Sequence, residues 1–383
     1  MKRSLLLTND YPPVISGIST VYYHVWKHYD PERMLVLTPH VDGDKDFDSS
    51  AVFSPIRFRT PQTGLPGKLI RLILTVSWTK WLVFFKGVRE IHAGQILSAG
   101  PIGLAFQKIF GIPCFLWVYG GETTDAYKGS KITEWFIDTL LNQARYLVTN
   151  SPVVTEEFLE YGIPRDRIIE IIPAVDASTF TPGPKPKNLV EKFGVDGKKI
   201  LLTVSRLTKR KGHDLVLRAM KNLGKSNDLH YIIVGSGEDR ERLEELIVEY
   251  GLSGMVSFAG RVPDEELPDY YRLSDIYVMP NREVLESTDS IEGFGISFIE
   301  ANACKKPSIA GKSGGSGAAV IDGLNGYRVD PEDPAELTDR LTALLDNPEL
   351  ADKLGQQGYE RVHAEFSWED RAKTLSEYFT IGE

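Results

Sequence analysis

Two carboxylates stand eight positions apart in Glu292-Gly-Phe-Gly-Ile-Ser-Phe-Ile-Glu300. Gly293 and Gly295 argue for a turn, because glycine is costly inside a helix and supplies the unusual backbone angles a turn needs. From Ile296 the run to Cys304 is largely apolar, which predicts about two helical turns, stopped by Lys305, Lys306 and Pro307. Glu292 is therefore expected on the loop and Glu300 on a mostly buried helix. A buried carboxylate must be paired or hydrogen-bonded, since leaving it bare costs several kcal/mol. A pair of ligand hydroxyls would satisfy Glu300, while Phe294 and the free N–H groups from Gly295 onward form a helix start that suits an anion. At this point the alternative stays open that both glutamates pair with nearby Lys or Arg around an ordinary glycine turn.

A second chemical cluster lies in Thr203-Val-Ser-Arg-Leu-Thr-Lys-Arg-Lys-Gly-His213, where Arg206, Lys209, Arg210 and Lys211 crowd four cations between a predicted strand and a predicted helix over 214–221. Planar guanidinium and point-charge ammonium groups together suit a diphosphate. Other strand-end loops are rich in glycine. Gly260-Arg261-Val262-Pro263 offers backbone groups to a base, and Gly17 near a helix start could approach a phosphate. Gly120-Gly121-Glu122-Thr-Thr-Asp125 follows Tyr119 at a strand end, and spacing alone assigns its acids no individual roles. Lys312-Ser-Gly-Gly-Ser-Gly lacks the ending of a P-loop and reads either as a turn making room for the Glu292 loop or as a phosphate contact.

Several chemistries are excluded. In Gly235-Ser-Gly237 Arg240 occupies the place of the third glycine of a dinucleotide fingerprint, which argues against a nicotinamide or flavin site. The acidic run Asp42 to Asp48 has Phe47 and Phe53 where a calcium loop needs Gly and Glu, so a solvated loop is expected. His24 and His28 lack the glutamate of a zinc protease motif. No metal site and no cofactor are expected.

These residues must be held by elements that alternate. Short β-branched runs are predicted as strands at 4–8, 34–38, 95–99, 114–119, 146–151 and 167–173, interleaved with helical segments, and the pattern restarts at 199–205, 231–235, 256–259, 276–280, 308–311 and 326–329. Such alternation means parallel, doubly wound α/β sheets, with ligands beyond the carboxyl ends of the strands. A Pro/Gly/Lys-rich stretch beginning at Thr181 reads as a linker. The organisation predicted is a first domain over 1–180, a linker over 181–198, a second domain over 199–363 and a final amphipathic segment over 364–383. A chain of 383 residues fits two domains.

With 42% hydrophobic and 25% charged residues the composition is that of a soluble globular protein, and a net charge of -9 argues against a nucleic-acid partner. The apolar run near the N-terminus is too short for a signal peptide, and two cysteines in apolar runs, Cys114 and Cys304, read as reduced thiols, so a cytoplasmic protein is expected. From Lys68 to Arg89 the polar residues Lys68, Arg71, Thr75, Thr79, Lys86 and Arg89 recur at helical spacing among aromatic residues. This segment reads as a helix whose apolar face packs on its sheet, or as a basic amphipathic helix in peripheral contact with the inner membrane face.

With Arg206, Lys211, Glu292 and Glu300 in place, the sequence resembles the retaining glycosyltransferases of the GT-B fold, in the family 4 group. The resemblance rests on Asp10-Tyr-Pro-Pro with Gly17, Tyr119-Gly-Gly-Glu122, Ile172-Pro-Ala-Val-Asp-Ala-Ser-Thr-Phe180, Ser205-Arg-Leu with Lys211-Gly212, Val234-Gly-Ser-Gly237, the two glutamates, Gly314-Gly315 and Asp322-Gly-Leu-Asn-Gly326, and covers nearly the whole chain. It implies two facing Rossmann-like domains with a deep cleft between them, and a final helix over 364–383 that crosses back to the first domain. The donor would be a nucleotide sugar, with Arg206 and Lys211 on its diphosphate, Glu300 on the ribose hydroxyls, and Glu292 with the backbone of Gly293 to Ile296 on the sugar and phosphate. Gly17 would reach the diphosphate, Arg261 and Val262 would lie beside the base, and Tyr11, Glu122 and Asp125 would stand on the acceptor side. Tyr119 occupies a position where the family often has His, in contact with the donor sugar or at the reaction centre, and with Arg206, Lys211 and Glu292 it makes up the catalytic set the resemblance implies. Asn9-Asp-Tyr-Pro-Pro13 and the acid-rich segment before Glu292 look most like mannosyltransferases acting on phosphatidylinositol mannosides, which favours GDP-mannose over UDP- or ADP-sugars and a lipid, glycan or small-molecule acceptor. A catalytically weak nucleotide-sugar-binding protein and a glycosidase using Glu292 and Glu300 are the alternative classes.

Overall fold

The computed structural model describes residues 2–14, 16–52, 54–59, 64–120, 129–224, 228–284 and 291–379. Two compact units divide the chain, one formed by Met1–Pro173 with Trp368–Glu383 and the other by Ala174–Ser367.

The first unit is built on seven parallel strands, β1 (Arg3–Leu7), β2 (Met34–Pro39), β3 (Ile56–Phe58), β4 (Val88–Ala93), β5 (Cys114–Trp117), β6 (Tyr146–Thr149) and β7 (Ile168–Glu170), in the order β3-β2-β1-β4-β5-β6-β7. The strands are short and almost wholly apolar because helices cover both faces. Strand order reverses between β1 and β4, where Leu5 pairs with Leu35 on one side and Ile91 on the other. This switch point opens a crevice at the carboxyl ends.

Three local expectations are corrected in this unit. The strand expected at 95–99 is a turn, and the strand lies just before it, at Val88–Ala93. Its buried Glu90 and His92 disguise it in the sequence. The His92 ring stacks on Phe115 at 4.4 Å and meets the edge of Trp26 at 5.0 Å, and burial pushes its pKa down to about 3, so it sits in the core as a neutral ring. The acidic run expected as a loop forms the helix Asp44–Ser50, whose buried Asp44 accepts from His40 Nδ1 at 2.6 Å and from the backbone N–H of Val41 at 3.1 Å.

The third correction concerns the helix Gly64–Phe85, which ends before Arg89, a strand residue. Apolar Leu82 and Val83 pack in the core, as expected of a domain helix, but part of the polar stripe faces inward beside them while Lys68 and Lys86 are exposed. Thr79 is buried and Arg71 and Thr75 are half-buried, whereas Leu69, Ile70, Leu72, Ile73 and Val76 face outward. Burying the threonines costs little because Thr79 donates to the Thr75 carbonyl at 2.7 Å and Thr75 to the Arg71 carbonyl at 2.8 Å.

The helix Trp368–Ser376 packs on the helix Gly17–Lys27 of the same unit. The Trp368 ring stacks on His24 at 5.0 Å, His28 Nε2 lies 3.3 Å from the Glu369 carboxylate, and Phe379 reaches His92 and Phe115.

The second unit carries six parallel strands, β8 (Lys199–Val204), β9 (Leu229–Val234), β10 (Val256–Gly260), β11 (Ile276–Met279), β12 (Ser308–Gly311) and β13 (Gly326–Val329), in the order β10-β9-β8-β11-β12-β13. The reversal here falls between β8 and β11. Helices such as His213–Leu223 and Pro334–Asp346 cover one face with Leu215, Ala219, Leu337 and Leu341. The stretch read as a linker contains the helix Lys187–Phe193, whose Lys192 Nζ donates to the Tyr270 hydroxyl at 3.2 Å.

Candidate functional site

The loops that leave β8 and β11 meet at the switch point of the second sheet, where a ligand is expected on topological grounds. After β8 the chain turns through a single 3-10 turn, Lys209–Lys211, and enters the helix His213–Leu223 through Gly212. Gly212 has φ +73°, and a Cβ there would lie 2.1 Å from the Pro280 carbonyl oxygen just beyond β11. Only glycine allows the two loops to close on each other. The Arg282 N–H then donates to the Arg210 carbonyl at 2.8 Å, and the Arg282 guanidinium grips Asp214 at 2.7 Å, fixing the turn from its far side.

The tight turn separates the four cations. Arg206 is exposed at the end of β8, whereas Arg210 and Lys211 are directed at Glu292. Arg210 Nη1 lies 2.6 Å and Lys211 Nζ 2.5 Å from the same oxygen, Glu292 Oε2. Arg210 and Glu292 are buried, and Lys211 is nearly so. Burial by itself would raise the Glu292 pKa, but the charges of Lys211 and Arg210 outweigh it and pull the carboxyl down to about 2. Glu292 is therefore a fixed anion between two fixed cations.

The Glu292 backbone is held from β12. The Gly315 N–H donates to the Glu292 carbonyl at 2.6 Å, and a Cβ on Gly314, which has φ +54°, would lie 2.5 Å from that carbonyl oxygen. Of the two readings left open for this glycine loop, the turn that makes room for Glu292 describes its observed contacts.

Beyond Glu292 the chain passes through buried Phe294, packed on Phe366 at 5.8 Å, and through Gly295 at φ +90° into the helix Ile296–Ala303. Glu300 lies on this helix, half-buried, and accepts from the Tyr271 hydroxyl at 2.5 Å. Burial raises its pKa to about 7 against the opposing pull of the Tyr271 bond, with the charge of Asp264 adding to the rise. The two carboxylates thus differ in state at neutral pH, Glu292 ionised and Glu300 near its midpoint.

The loops after β9 and β10 complete this end of the sheet. Exposed Arg261 donates from Nε to Ser236 Oγ at 3.0 Å, Val262 beside it is buried, and the Ser236 carbonyl accepts from the Leu207 N–H at 3.0 Å. A chain of contacts therefore runs from Arg261 to the cationic turn.

In the first unit, Gly17 is exposed at the first position of its helix, where Ser16 caps by accepting from the Ser19 N–H at 3.0 Å. Tyr119 follows β5 and donates to the Tyr22 hydroxyl, which donates to the Gly94 carbonyl at 2.5 Å. Tyr11 is buried beside the rings of Tyr23 and Phe47. Glu122 and Asp125 lie outside the described residues.

Sequence reasoning placed Arg210 in the cationic cluster but singled out only Arg206 and Lys211 from it, and it passed over Tyr271. Adjacent cations give no signal of which one a 3-10 turn directs inward, and nothing near Tyr271 marks it as the partner of a residue 29 positions away. Among the described residues no group of three or more His, Cys, Asp or Glu side chains converges as a metal site would require.

Two Rossmann-like halves, each a parallel sheet whose strand order reverses once, define a GT-B architecture, and the match to solved structures agrees. The crystal structure of Anabaena HepE with UDP and glucose superposes with a TM-score of 0.83 over 98% of this chain and 99% of that one, at 19% identity. The chain belongs to the family of glycosyl transferases group 1, whose profile matches residues 186–361, and it is a hexosyltransferase. A D-inositol 3-phosphate glycosyltransferase of Corynebacterium urealyticum is 30% identical over 76% of this chain and 70% of its own. The GDP-mannose-dependent alpha-(1-6)-phosphatidylinositol monomannoside mannosyltransferase of Mycolicibacterium smegmatis is 28% identical over 378 residues, 97% of each chain. A nucleotide-sugar donor and a separate acceptor are the substrates this family membership implies.

Proposed function

We propose that this enzyme transfers mannose from GDP-mannose to a hydroxyl of a phosphatidylinositol mannoside, with retention at the anomeric carbon. The observation that carries the reaction site is the convergence of Arg210 and Lys211 on Glu292 at the switch point of the second sheet. The donor and acceptor follow the Mycolicibacterium relative, which is similar over nearly the full length of both chains.

In this reading Arg206 and Lys211 take the donor diphosphate, Lys211 having three N–H donors to share between Glu292 and a phosphate oxygen. Glu292 and the backbone N–H groups from Gly293 to Ile296 hold the sugar and its phosphate, Glu300 accepts from the ribose hydroxyls, and Arg261 and Val262 flank the base. Gly17 offers backbone to the diphosphate, Tyr119 orients the sugar, and Glu122 and Asp125 serve the acceptor. The bond from the anomeric carbon to phosphate oxygen breaks, the acceptor oxygen bonds to the same face of that carbon, and the acceptor proton passes to the departing phosphate oxygen. The negative charge that grows on the leaving diphosphate is met by cations already in place.

A second reading has an observation in its favour. Two carboxyl groups with pKa values driven apart, to about 2 and about 7, are what a retaining glycosidase uses as nucleophile and acid. Against it, the Glu292 oxygen is pinned by two cations, which makes it a poor nucleophile, and the cationic turn would serve no purpose. Calorimetric titration with GDP-, UDP- and ADP-sugars, followed by product analysis with a phosphatidylinositol mannoside acceptor, decides between them. GDP-mannose binding and GDP release, both lost in Lys211→Ala, are expected. Hydrolysis of a nitrophenyl mannoside that survives Lys211→Ala would establish the glycosidase, and binding without turnover a silent binder.

A further inference from the structure

Behind the cationic turn lies a buried titratable group that the proposed reaction leaves unused. His213 opens the helix His213–Leu223 directly after Lys211 and Gly212, and it is only 1% exposed. Both of its ring nitrogens have partners. Nδ1 lies 3.0 Å from the Tyr231 hydroxyl of β9, and Nε2 lies 3.1 Å from Ser205 Oγ just past the end of β8. The Tyr231 hydroxyl in turn lies 2.7 Å from Thr203 Oγ1 of β8, and Thr203 donates to the Val278 carbonyl of β11. One chain of four side chains thus links the three adjacent strands β9, β8 and β11 at the switch point.

The far end of this chain fixes its direction. A backbone carbonyl only accepts, so Thr203 directs its single proton to Val278 and must accept from Tyr231. Burial raises the Tyr231 pKa, so its hydroxyl keeps the proton it donates to Thr203 and offers only lone pairs to His213. Nδ1 must then carry the proton of the ring. Burial also pushes the His213 pKa down to about 4, so at neutral pH the ring is uncharged and Nε2 is bare. Nε2 and the Arg206 carbonyl, 3.4 Å apart, are two acceptors converging on the one proton of Ser205 Oγ, which is 3.1 Å from each. Ser205 itself is closed in by the exit of β9, where a Cβ on Gly235 would lie 1.9 Å from the Ser205 carbonyl oxygen.

Ser205 and His213 flank the segment from Arg206 to Gly212, so their hydrogen bond closes the base of the turn that carries Arg206 at one end and Lys211 at the other. We propose that His213 is a positioning residue whose ring, accepting at Nε2 and donating at Nδ1, sets the separation of Arg206 and Lys211 for the donor diphosphate. This role rests on the reading of Arg206 and Lys211 as the diphosphate ligands, and His213 touches no substrate atom itself. It requires one acceptor and one donor in that place. Glutamine offers both through its amide, whereas leucine offers neither.

The test is calorimetry of the full chain with GDP, beside steady-state kinetics with donor and acceptor varied in turn. His213→Leu is expected to weaken GDP binding by about tenfold and to raise the donor KM by a similar factor, with the acceptor KM unchanged, and His213→Gln to restore most of both. Tyr231→Phe leaves the Nδ1 proton without its acceptor while Thr203 stays bonded to Val278, and should weaken GDP binding by about threefold. A purely structural histidine would lower the unfolding midpoint and the active fraction, so that kcat falls while GDP affinity and donor KM stay at the parent values. That result overturns the proposal, as does equal GDP affinity in His213→Leu and His213→Gln. If His213→Leu does not fold, unchanged GDP affinity in Tyr231→Phe overturns it alone. Lys211→Ala separates this role from the reading beneath it. GDP binding lost in Lys211→Ala but intact in His213→Leu removes the role of His213 only, whereas GDP binding that survives Lys211→Ala removes the diphosphate assignment and this role with it.

Discussion

Tyr271 donates its hydroxyl to Glu300 across 2.5 Å, and this bond opposes the burial that raises the pKa of the carboxylate proposed to read the donor ribose. Burial has raised Glu300 to about 7, so an ionised acceptor is only half available at neutral pH. A ribose that donates two hydroxyls favours the ionised form and must displace the proton. Donor affinity is therefore expected to fall as pH drops below 7, by about tenfold per pH unit at the limit. Calorimetry in buffers of different ionisation enthalpy should show proton release on binding near pH 7. Glu300→Gln should bind weakly with a flat pH profile, and Tyr271→Phe, which removes a bond that favours the ionised form, should shift the profile to higher pH.

Glu292 titrates in the opposite sense. Its carboxyl, ordinarily at 4.5, is held at about 2, so the stability it contributes is fully present above 4.5 and is lost as pH falls through the folded value. Glu292→Gln leaves Arg210 and Lys211 facing a neutral group and is expected to destabilise the second unit by about 3 kcal/mol at neutral pH. Urea unfolding measured across the acidic range should show a shallower loss of stability in the variant than in the parent. Equal slopes would mean that the pair of cations is compensated elsewhere.

The fold was legible because both sheets are parallel and buried on two faces, so strands such as Ile200–Val204, interrupted only by Thr203, and Tyr231–Val234 read as apolar runs between helices. The sequence misled where burial and polarity part company. Glu90 and His92 in β4 made a central strand look like a loop, and the strand was sought seven residues later at 95–99. Threonines that bond back to their own helix let Arg71, Thr75 and Thr79 face the protein beside Leu82 and Val83, so the polar stripe of the helix Gly64–Phe85 did not mark its outer face. At the site, the carboxylates and the cationic turn could be seen from residue types. The pairing of Arg210 with Glu292 depends on one turn of 3-10 geometry, which composition does not encode.

Tyr119 and Tyr22 form a relay in which each hydroxyl donates onward, ending on the Gly94 carbonyl at the first unit's switch point. Tyr119→Phe removes the outermost hydroxyl and leaves the ring packing of Tyr22 on Trp117 intact. If Tyr119 orients the donor sugar, one hydrogen bond of about 1.4 kcal/mol is at stake, and kcat/KM should fall by about tenfold with the unfolding midpoint nearly unchanged. A loss of stability with full activity would instead mark the relay as structural.

Gly314 supports Glu292 from β12 at a backbone angle that favours glycine, with φ +54° and no room for a Cβ beside the Glu292 carbonyl. Gly314→Ala must either displace the Gly315–Glu292 hydrogen bond or push Glu292 away from Arg210 and Lys211. The left-handed angle alone costs about 1–2 kcal/mol, and the displaced carboxylate adds to it. Donor affinity is expected to drop at least as much as stability, because the residue moved is the one proposed to meet the sugar. Gly323→Ala is the control, since it also has a positive φ, of +73°, but a Cβ there would meet nothing within 4 Å. Calorimetry with GDP-mannose should separate the two, with binding impaired in Gly314→Ala and preserved in Gly323→Ala despite a similar backbone penalty.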